Sequence, residues 1–184
     1  VRVVDTKAAS INQQYAVHAE YVAEMARQLM FDRYKEAAYT EGLKVYTTIN
    51  STEQTAAYNG VRNAVISYDR RKGYHGPEAT YPLPSKPEEQ TKALDKIFDE
   101  HNDFDEMRAA VVTGVSSTAI KAILADGENI SITGPGLGLA RGALNPSSKI
   151  AIKVGSVIRV VESTDDATWR IAQVPEVQAS FVAM

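Results

Sequence analysis

The sequence contains no cysteine, which excludes disulfides, thiol catalysis and thiolate metal sites. It has no apolar run of the ~20 residues that a membrane-spanning helix needs, and its N-terminus lacks the features of a signal peptide. The formal net charge is −3, so there is no broad basic field of the kind that nonspecific nucleic-acid binding requires. What is left is a globular chain of 184 residues, enough for one domain or two small ones. Its composition fixes no cellular compartment.

Aromatic residues are scarce in the second half of the chain, where residues 109–173 hold a single one, Trp169. Small barrels that bind single-stranded nucleic acid stack successive bases on several aromatic side chains, and one ring is too few for that purpose. We therefore predict that nucleic acid is not a partner. Trp169 is expected to pack in or near a small core.

The first third of the chain predicts two helices and a strand. From Gln14 to about Lys35, apolar residues recur at three- and four-residue steps, which is typical of an amphipathic helix; they are Tyr21, Val22, Met25, Leu29 and Met30. The segment Leu43–Ile49 alternates with a period of two and is rich in β-branched residues, which predicts a strand. Asn50 and Glu53 have the spacing of a capping box that opens a helix reaching about Tyr68.

Glycine and proline separate this region from the next. The cluster Gly73–Pro77 breaks any regular element. A second capping-box pattern, Ser85–Glu88, predicts a short helix. The apolar residues of that helix are expected on one side; they are Leu94, Ile97 and Phe98.

Five short strands are predicted beyond Arg108. They cover residues 109–115, 119–124, 129–133, 156–161 and 168–173. Asp126-Gly127 is a strong hairpin signal between the second and third strands, and Gly134–Gly142 is predicted as a flexible connection after the third. Five strands with one longer excursion match a small OB-type barrel. The predicted fold class is therefore α+β, with linker helices and a strand followed by a five-stranded OB-type β-barrel.

Four groups of residues, in order along the chain, resemble class A penicillin-binding proteins of the 1A type found in Gram-negative bacteria. They are Tyr21–Arg27, Gly42–Ile49, Tyr68–Pro77, and Trp169 with Ala172–Val177. These motifs span nearly the whole chain and leave a variable middle. Proteins of this family join a peptidoglycan glycosyltransferase domain to a transpeptidase domain.

The resemblance implies a domain organisation. Residues 1–77 would be the linker between the two catalytic domains, residues 78–175 an inserted OB-like docking domain, and residues 176–184 the start of the transpeptidase domain. The unpatterned stretch Val1–Gln13 is predicted as a loop. The final apolar residues Phe181–Met184 predict a strand, so we expect the sequence to be an excerpt of a longer protein.

The resemblance also implies a function. The family's glycosyltransferase glutamates would lie before Val1 and its transpeptidase serine after Met184, so the excerpt would be a non-catalytic interaction and regulatory module. In the enteric members the inserted region docks an outer-membrane lipoprotein activator, so the expected partner is such an activator or another cell-wall synthesis protein. The implied location is the periplasm, with the parent protein anchored in the inner membrane, and no cofactor is implied. A module that binds peptidoglycan strands and an inert spacer between the catalytic domains remain alternatives.

The residues themselves support the expectation that the chain is not an enzyme. There is no Ser-x-x-Lys and no Lys-Thr-Gly. The segment Thr118–Lys121 has the spacing of Ser-x-x-Lys, with threonine in place of serine. It lies beside a predicted strand, however, where the two side chains cannot meet as they do on a helix.

Metal ligands are also not predicted. The acidic cluster of Asp99, Asp103, Asp105 and Glu106 places Phe104 where an EF-hand loop needs glycine. It is expected to be a solvated surface. The three histidines are His18, His75 and His101, and they lack ligand spacing.

One stretch is a candidate interaction surface. Residues 141–160 hold Arg141, Lys149, Lys153 and Arg159 and no acidic residue. A basic strip of this kind can meet an acidic protein, a lipid headgroup or the carboxylates of a glycan. An ordinary solvated face is the alternative.

Overall fold

A computed structural model describes residues 17–163 and 167–177. The described residues divide into two compact units, residues 17–64 and residues 65–177. The loop predicted over Val1–Gln13 and the strand predicted over Phe181–Met184 lie outside the described residues. None of the helices within the described part is long and apolar enough to cross a membrane.

The first unit is helical. Helix α1 covers Glu20–Tyr34, α2 covers Ala37–Thr40, and α3, which covers Ser51–Lys72, begins in this unit. The first predicted helix is therefore confirmed over its described part. Its apolar stripe is divided, because Val22 and Met30 line a cavity while the other three members are exposed. Those three are Tyr21, Met25 and Leu29.

The strand predicted over Leu43–Ile49 is wrong, since no regular element forms there. The alternation itself is real, because every second side chain faces a cavity of about 450 Å³ beside α1 and α2. These residues are Leu43, Val45, Thr47 and Ile49. A strand also needs a neighbour for its backbone donors and acceptors, and no strand of the described residues pairs with this segment.

Helix α3 begins where the sequence predicts it, and its cap provides a stability test. The Asn50 side-chain oxygen accepts hydrogen bonds from the backbone N–H of Thr52 at 2.9 Å and of Glu53 at 3.5 Å. Asn50→Ala is expected to destabilise the first unit by about 1 kcal/mol because those donors lose their acceptor. Circular dichroism at 222 nm during thermal unfolding measures the loss. Asn50→Asp keeps the acceptor and should behave as the native chain; an equal loss would contradict the capping role.

The second unit is built on an antiparallel sheet. Its elements in chain order are β1 (Ala79–Thr80), α4 (Pro87–Glu100), β2 (Arg108–Val115), β3 (Ala119–Leu124), β4 (Asn129–Thr133), the 3-10 turns η1 (Gly134–Leu137) and η2 (Arg141–Leu144), β5 (Ser156–Glu162) and β6 (Trp169–Ala172). All five predicted strands are confirmed. The sequence missed β1, whose two residues pair with Ser156 and Val157. The α+β class is therefore confirmed, with six strands instead of five.

The predicted barrel is not closed. The strand order is β1-β5-β2-β3-β4, and β6 pairs with β5. Within the described structure β4 forms one edge of the sheet, and β1 and β6 form the other, beyond β5. Strands β4 and β6 approach each other without hydrogen-bonded pairing between their described residues. Turn η1 packs against both of these strands, and its Gly136 lies so close to the Trp169 carbonyl and to Ile132 that there is no room for a side chain. The backbone of η1 therefore occupies the position where the two strands would pair.

Both faces of the sheet are covered, which explains the continuous buried run Ala109–Val112 in β2. On one face the larger core includes Ile120, Ile158 and Ile171. The connection Gly134–Gly142 is not a flexible linker as predicted, because Leu137 at the end of η1 and Ala140 just before η2 are buried in this core. Ala143 of η2 is buried in it as well. Trp169 packs against the same core, as predicted.

Helix α4 covers the other face. Its Ile97 packs with Val111 and Val157, and Leu94 and Phe98 lie beside it, so the predicted apolar side is confirmed. The predicted serine cap is wrong. Lys86 occupies the cap position without a side-chain bond and Pro87 begins the helix; proline is favoured there because its fixed φ suits the first turn and no N–H is lost.

Candidate functional site

Three residues from two other parts of the second unit meet at Asp69, which lies in the last turn of α3. Asp69 is 2% exposed. Its carboxylate accepts from His75 Nε2 at 3.0 Å, from Gln173 Nε2 at 2.6 Å and from the Glu176 backbone N–H at 3.4 Å. We call Asp69, His75, Gln173 and Glu176 the clasp. It joins the N-terminal arm, residues 73–78, to the C-terminal arm, residues 172–177.

Gln173 holds the two arms together. Its amide N–H₂ donates to Asp69 and to the Gly73 carbonyl at 3.0 Å, and its Oε1 accepts from the His75 backbone N–H at 3.1 Å. This set of partners fixes the orientation of the amide. Because an ionised carboxylate only accepts, the His75 proton toward Asp69 is on Nε2. The Nδ1 of the same ring faces the Glu176 carboxylate at 3.9 Å.

The clasp places a negative charge where a helix disfavours it. The C-terminal end of a helix carries a partial negative charge, and α3 offsets this with three basic residues in its last turn, namely Arg70, Arg71 and Lys72. Burial alone would raise the pKa of Asp69, but the hydrogen bonds from His75 and Gln173 hold that pKa below its ordinary value. The donors from His75 and Gln173 therefore stabilise the ionised form of Asp69 in the folded chain.

A second network ties the N-terminal arm to the sheet. Arg159 on β5 makes a bidentate pair with Glu78, at 2.7 and 2.9 Å, and its Nη1 donates to the Asn102 carbonyl at 2.6 Å. His101 Nδ1 lies 3.0 Å from the same Glu78 carboxylate, and Tyr81 bonds the other ring nitrogen. Burial works to raise the pKa of Glu78, but Arg159 and, to a smaller extent, His101 together outweigh it and hold that pKa below its ordinary value.

Both networks border one cleft of about 320 Å³. The two arms and β5 form its walls, with Tyr74 and Glu78 on one side and Gln173 and Glu176 on the other. The Tyr74 hydroxyl is buried and has no hydrogen-bond partner within the described structure. Burial, with a smaller contribution from Glu78, raises the pKa of Tyr74, so this phenol stays neutral.

The lowered pKa of Glu78 predicts acid sensitivity. A carboxylate whose pKa is lowered by folding stabilises the native state above its ordinary pKa, and this stabilisation is lost as the pH falls through the lowered value. The ordinary pKa of Glu78 is 4.5. The urea midpoint of the second unit, read from Trp169 fluorescence, should therefore be flat above pH 4.5 and fall below it. Glu78→Gln should flatten that fall, whereas Asp99→Asn, at an exposed position on α4, should not. Identical pH profiles for all three proteins would contradict the prediction.

The predicted basic strip is partly wrong. Arg159 is 7% exposed and is bonded to Glu78, so it is a structural residue and not part of the surface. Arg141, Lys149 and Lys153 are exposed, and their role in binding remains a prediction. Lys121 lies within β3 and Thr118 just before it, the strand setting expected for this Thr-x-x-Lys spacing.

The sequence does not reveal the clasp or the Glu78 network. The sequence does not single out His75 or His101, which lie outside the helices and strands, and each is bonded to a carboxylate. The available signal is that Asp69, His75, Gln173 and Glu176 all fall within the segments that carry the family resemblance. No grouping of three or more His, Asp or Glu side chains among the described residues is placed to hold a metal ion.

Comparisons with known proteins agree with this architecture. The family model described as the penicillin-binding protein OB-like domain matches residues 74–177, which run from the N-terminal arm to the end of the C-terminal arm. The penicillin-binding protein 1A of Pseudomonas aeruginosa is 34% identical over 95% of this chain, and that of Escherichia coli is 33% identical over 97%. The chain spans 22% of the length of each of these relatives.

A solved structure gives the same result. The crystal structure of penicillin-binding protein 1A from Haemophilus influenzae superposes with a TM-score of 0.68 at 30% sequence identity, covering 86% of this chain and 23% of that one. The resemblance that the four motifs indicate is thus confirmed. The chain belongs to the penicillin-binding protein OB-like domain family, with the matched domain opening at Tyr74 beside the clasp and closing at Val177.

Proposed function

We propose that this chain is a non-catalytic interaction and regulatory module of a bifunctional peptidoglycan synthase. In this proposal the parent protein is anchored in the inner membrane and the module lies in the periplasm, where it docks an outer-membrane lipoprotein activator. The relatives from Pseudomonas aeruginosa and Escherichia coli support this proposal, since each is a penicillin-binding protein 1A of which the chain spans about a fifth.

The observation that carries the proposal is the meeting of the two arms. Asp69 and Gln173 are 104 residues apart and are bonded directly. Everything between the arms, including the whole sheet, therefore forms a body whose two ends are held side by side. A body attached in this way can be inserted into a larger chain without separating the segments on either side. A protein bound to that body has a route to both segments through the arms.

The test uses the parent synthase with residues 79–171 replaced by a short Gly/Ser linker, which leaves both arms in place. Basal glycan polymerisation and peptide cross-linking should persist, because no residue of the module takes part in the chemistry. Stimulation by purified outer-membrane lipoproteins of the same organism should be lost. Undiminished stimulation of the deletion variant would contradict docking and would favour an inert spacer. A matched control is the intact parent carrying Gly142→Ala, where the added methyl group meets no neighbouring atom.

A second candidate function is binding of peptidoglycan strands. It is favoured by the three exposed basic residues Arg141, Lys149 and Lys153, which have no acidic residue among them in the sequence. Sedimentation with purified sacculi tests it. Reversal of all three charges to glutamate should abolish co-sedimentation, whereas reversal of three exposed lysines around α4 should not. The control lysines are Lys86, Lys92 and Lys96. Equal co-sedimentation of both variants would remove the glycan hypothesis.

A further inference from the structure

We infer that the clasp is a releasable joint: neutralising Asp69 detaches the C-terminal arm from α3 and the N-terminal arm as one local unit, while the sheet stays folded. The proposal concerns the chain alone and does not depend on the proposed function. Two observations support it: the contacts that attach the C-terminal arm and the end of α3, and the position of the Asp69 carboxylate at the centre of those contacts.

The C-terminal arm has no apolar anchor in the core. Ile171, on β6, is buried at 1% exposure and is the last residue of the described chain that belongs to the core. Beyond it, Val174 and Val177 are each 38% exposed. The side chain of Gln173 and the backbone N–H of Glu176 make the arm's bonds to Asp69 and the N-terminal arm. Segments held by few apolar contacts open at far lower free energy than the core they adjoin.

The end of α3 is attached in the same way. Asp69 is the only buried residue of α3 in the described structure, and the neighbouring Tyr68 is 42% exposed. The helix end therefore meets the arms through a carboxylate and not through an apolar face. Removing the charge removes the main acceptor that connects α3 to residues 173–176.

The arrangement makes release cooperative. Gln173 bonds to Asp69, to Gly73 and to His75 at once, so it cannot leave one partner without straining the other two. A protonated or amidated Asp69 keeps one oxygen that only accepts and turns its donor either toward the Gln173 amide or toward the His75 Nε2 and the Glu176 N–H. His75 can accept from that donor in its other tautomer, but the Gln173 Nε2 and the Glu176 N–H can only donate, so one of their two bonds is lost. The loss of one bond is therefore expected to release the whole set.

The charges around Asp69 do not compensate for its neutralisation. From the N-terminal arm it faces His75, and from the C-terminal arm it faces the backbone of Glu176, whose carboxylate is turned toward the same imidazole. On its own helix the neighbouring basic residues, Arg70, Arg71 and Lys72, are exposed. Across the cleft, Glu78 is already paired with Arg159. Since Glu78 and Arg159 are bonded elsewhere, neither is free to replace the Asp69 carboxylate as the acceptor for Gln173.

Amide hydrogen exchange on the full chain, read by NMR, tests the inference. At neutral pH, Asp69→Asn should raise the exchange of the His75 and Glu176 amides by about ten-fold or more. The amides of Val111 and Ile123, which pair in the centre of the sheet, should keep their protection. Asp126→Asn is the matched control, because it makes the same chemical change at an exposed carboxylate that is paired with Arg108.

Two results would overturn the inference. If exchange rises equally in the arms and in the sheet, Asp69 supports global stability and there is no joint. If the His75 and Glu176 amides keep their protection, the carboxylate does not hold the arms. Gln173→Ala removes the same bonds from the other side without altering a charge, and it should reproduce the Asp69→Asn pattern. This second variant keeps the test decisive should Asp69→Asn fail to fold.

Discussion

Replacing Arg159 with methionine is expected to lower the free energy of unfolding of the second unit by about 3 kcal/mol. The guanidinium side chain is 8% exposed and pairs bidentately with Glu78, whose side chain is 29% exposed. Methionine fills much of the volume, so packing changes little. The loss arises because the Glu78 carboxylate and the Asn102 carbonyl keep their desolvation cost without their donor.

A second substitution separates the contribution of the Arg159–Glu78 ion pair from that of side-chain packing. In the double variant Arg159→Met with Glu78→Leu, no partially buried charge is left without its partner, and most of the lost stability should return. Urea unfolding followed by Trp169 fluorescence measures the free energies of the native chain, of Arg159→Met, of Glu78→Leu and of the double variant, and the interaction energy follows from these four values. Arg141→Met is the control, since Arg141 is exposed and its loss should fall within about 0.5 kcal/mol. If Arg159→Met lowers the free energy of unfolding no more than Arg141→Met does, Arg159 does not have this structural role.

The structural role of Arg159 bears on what the sequence can predict. Position in the chain groups Arg159 with the exposed basic residues that precede it. Its immediate neighbours, however, are the apolar strand residues Ile158 and Val160, both buried. A charge within a continuous buried run must have a partner, and that local signal separates it from Lys149 and Lys153. Its partner Glu78 is 81 residues away and no local pattern identifies it.

Elements with local causes are predicted well from the sequence. The strands Ala119–Leu124 and Asn129–Thr133 have the predicted bounds, because alternation and the Asp126-Gly127 turn specify a hairpin within its own residues. The segment Leu43–Ile49 has the same alternation and forms no strand, since pairing depends on a neighbour and not on the segment. Strand β1 is not predicted because it has only two residues, too few to show an alternating pattern.

Contacts between distant residues explain the rest. The clasp is made by residues about one hundred positions apart, and the hydrogen bonds from His75 and Gln173 that lower the pKa of Asp69 form only in the folded chain. The open barrel likewise depends on η1 lying against β4 and β6. The glycines of this connection allow that packing, but their presence in the sequence does not predict it. The family resemblance is the one sequence signal that reaches across this separation, since its motifs include both arms.

The second large effect is expected at two glycines where the backbone of another element lies in contact. A Cβ at Gly155 would lie within the van der Waals radius of the Tyr81 carbonyl oxygen, and the φ of +87° is itself unfavourable for other residues. That contact supports β1, because the Tyr81 N–H donates to the Gly155 carbonyl at 3.0 Å. Gly155→Ala must push β1 away from β5 or distort the turn. We expect a loss of about 3 kcal/mol in the free energy of unfolding.

Two further substitutions separate the causes. Gly127 has a φ of +85° and open space around the position that a Cβ would take, so Gly127→Ala measures backbone strain alone and should cost about 1 kcal/mol. Gly136 has no positive φ, but a Cβ there would collide with the Trp169 carbonyl, so Gly136→Ala measures the collision alone, about 2 kcal/mol. If Gly155→Ala lowers the free energy of unfolding no more than Gly127→Ala does, the Tyr81 carbonyl does not lie as close to Gly155 as described. If Gly136→Ala is neutral, η1 does not fill the gap between β4 and β6, and the packing of η1 cannot be what keeps the barrel open.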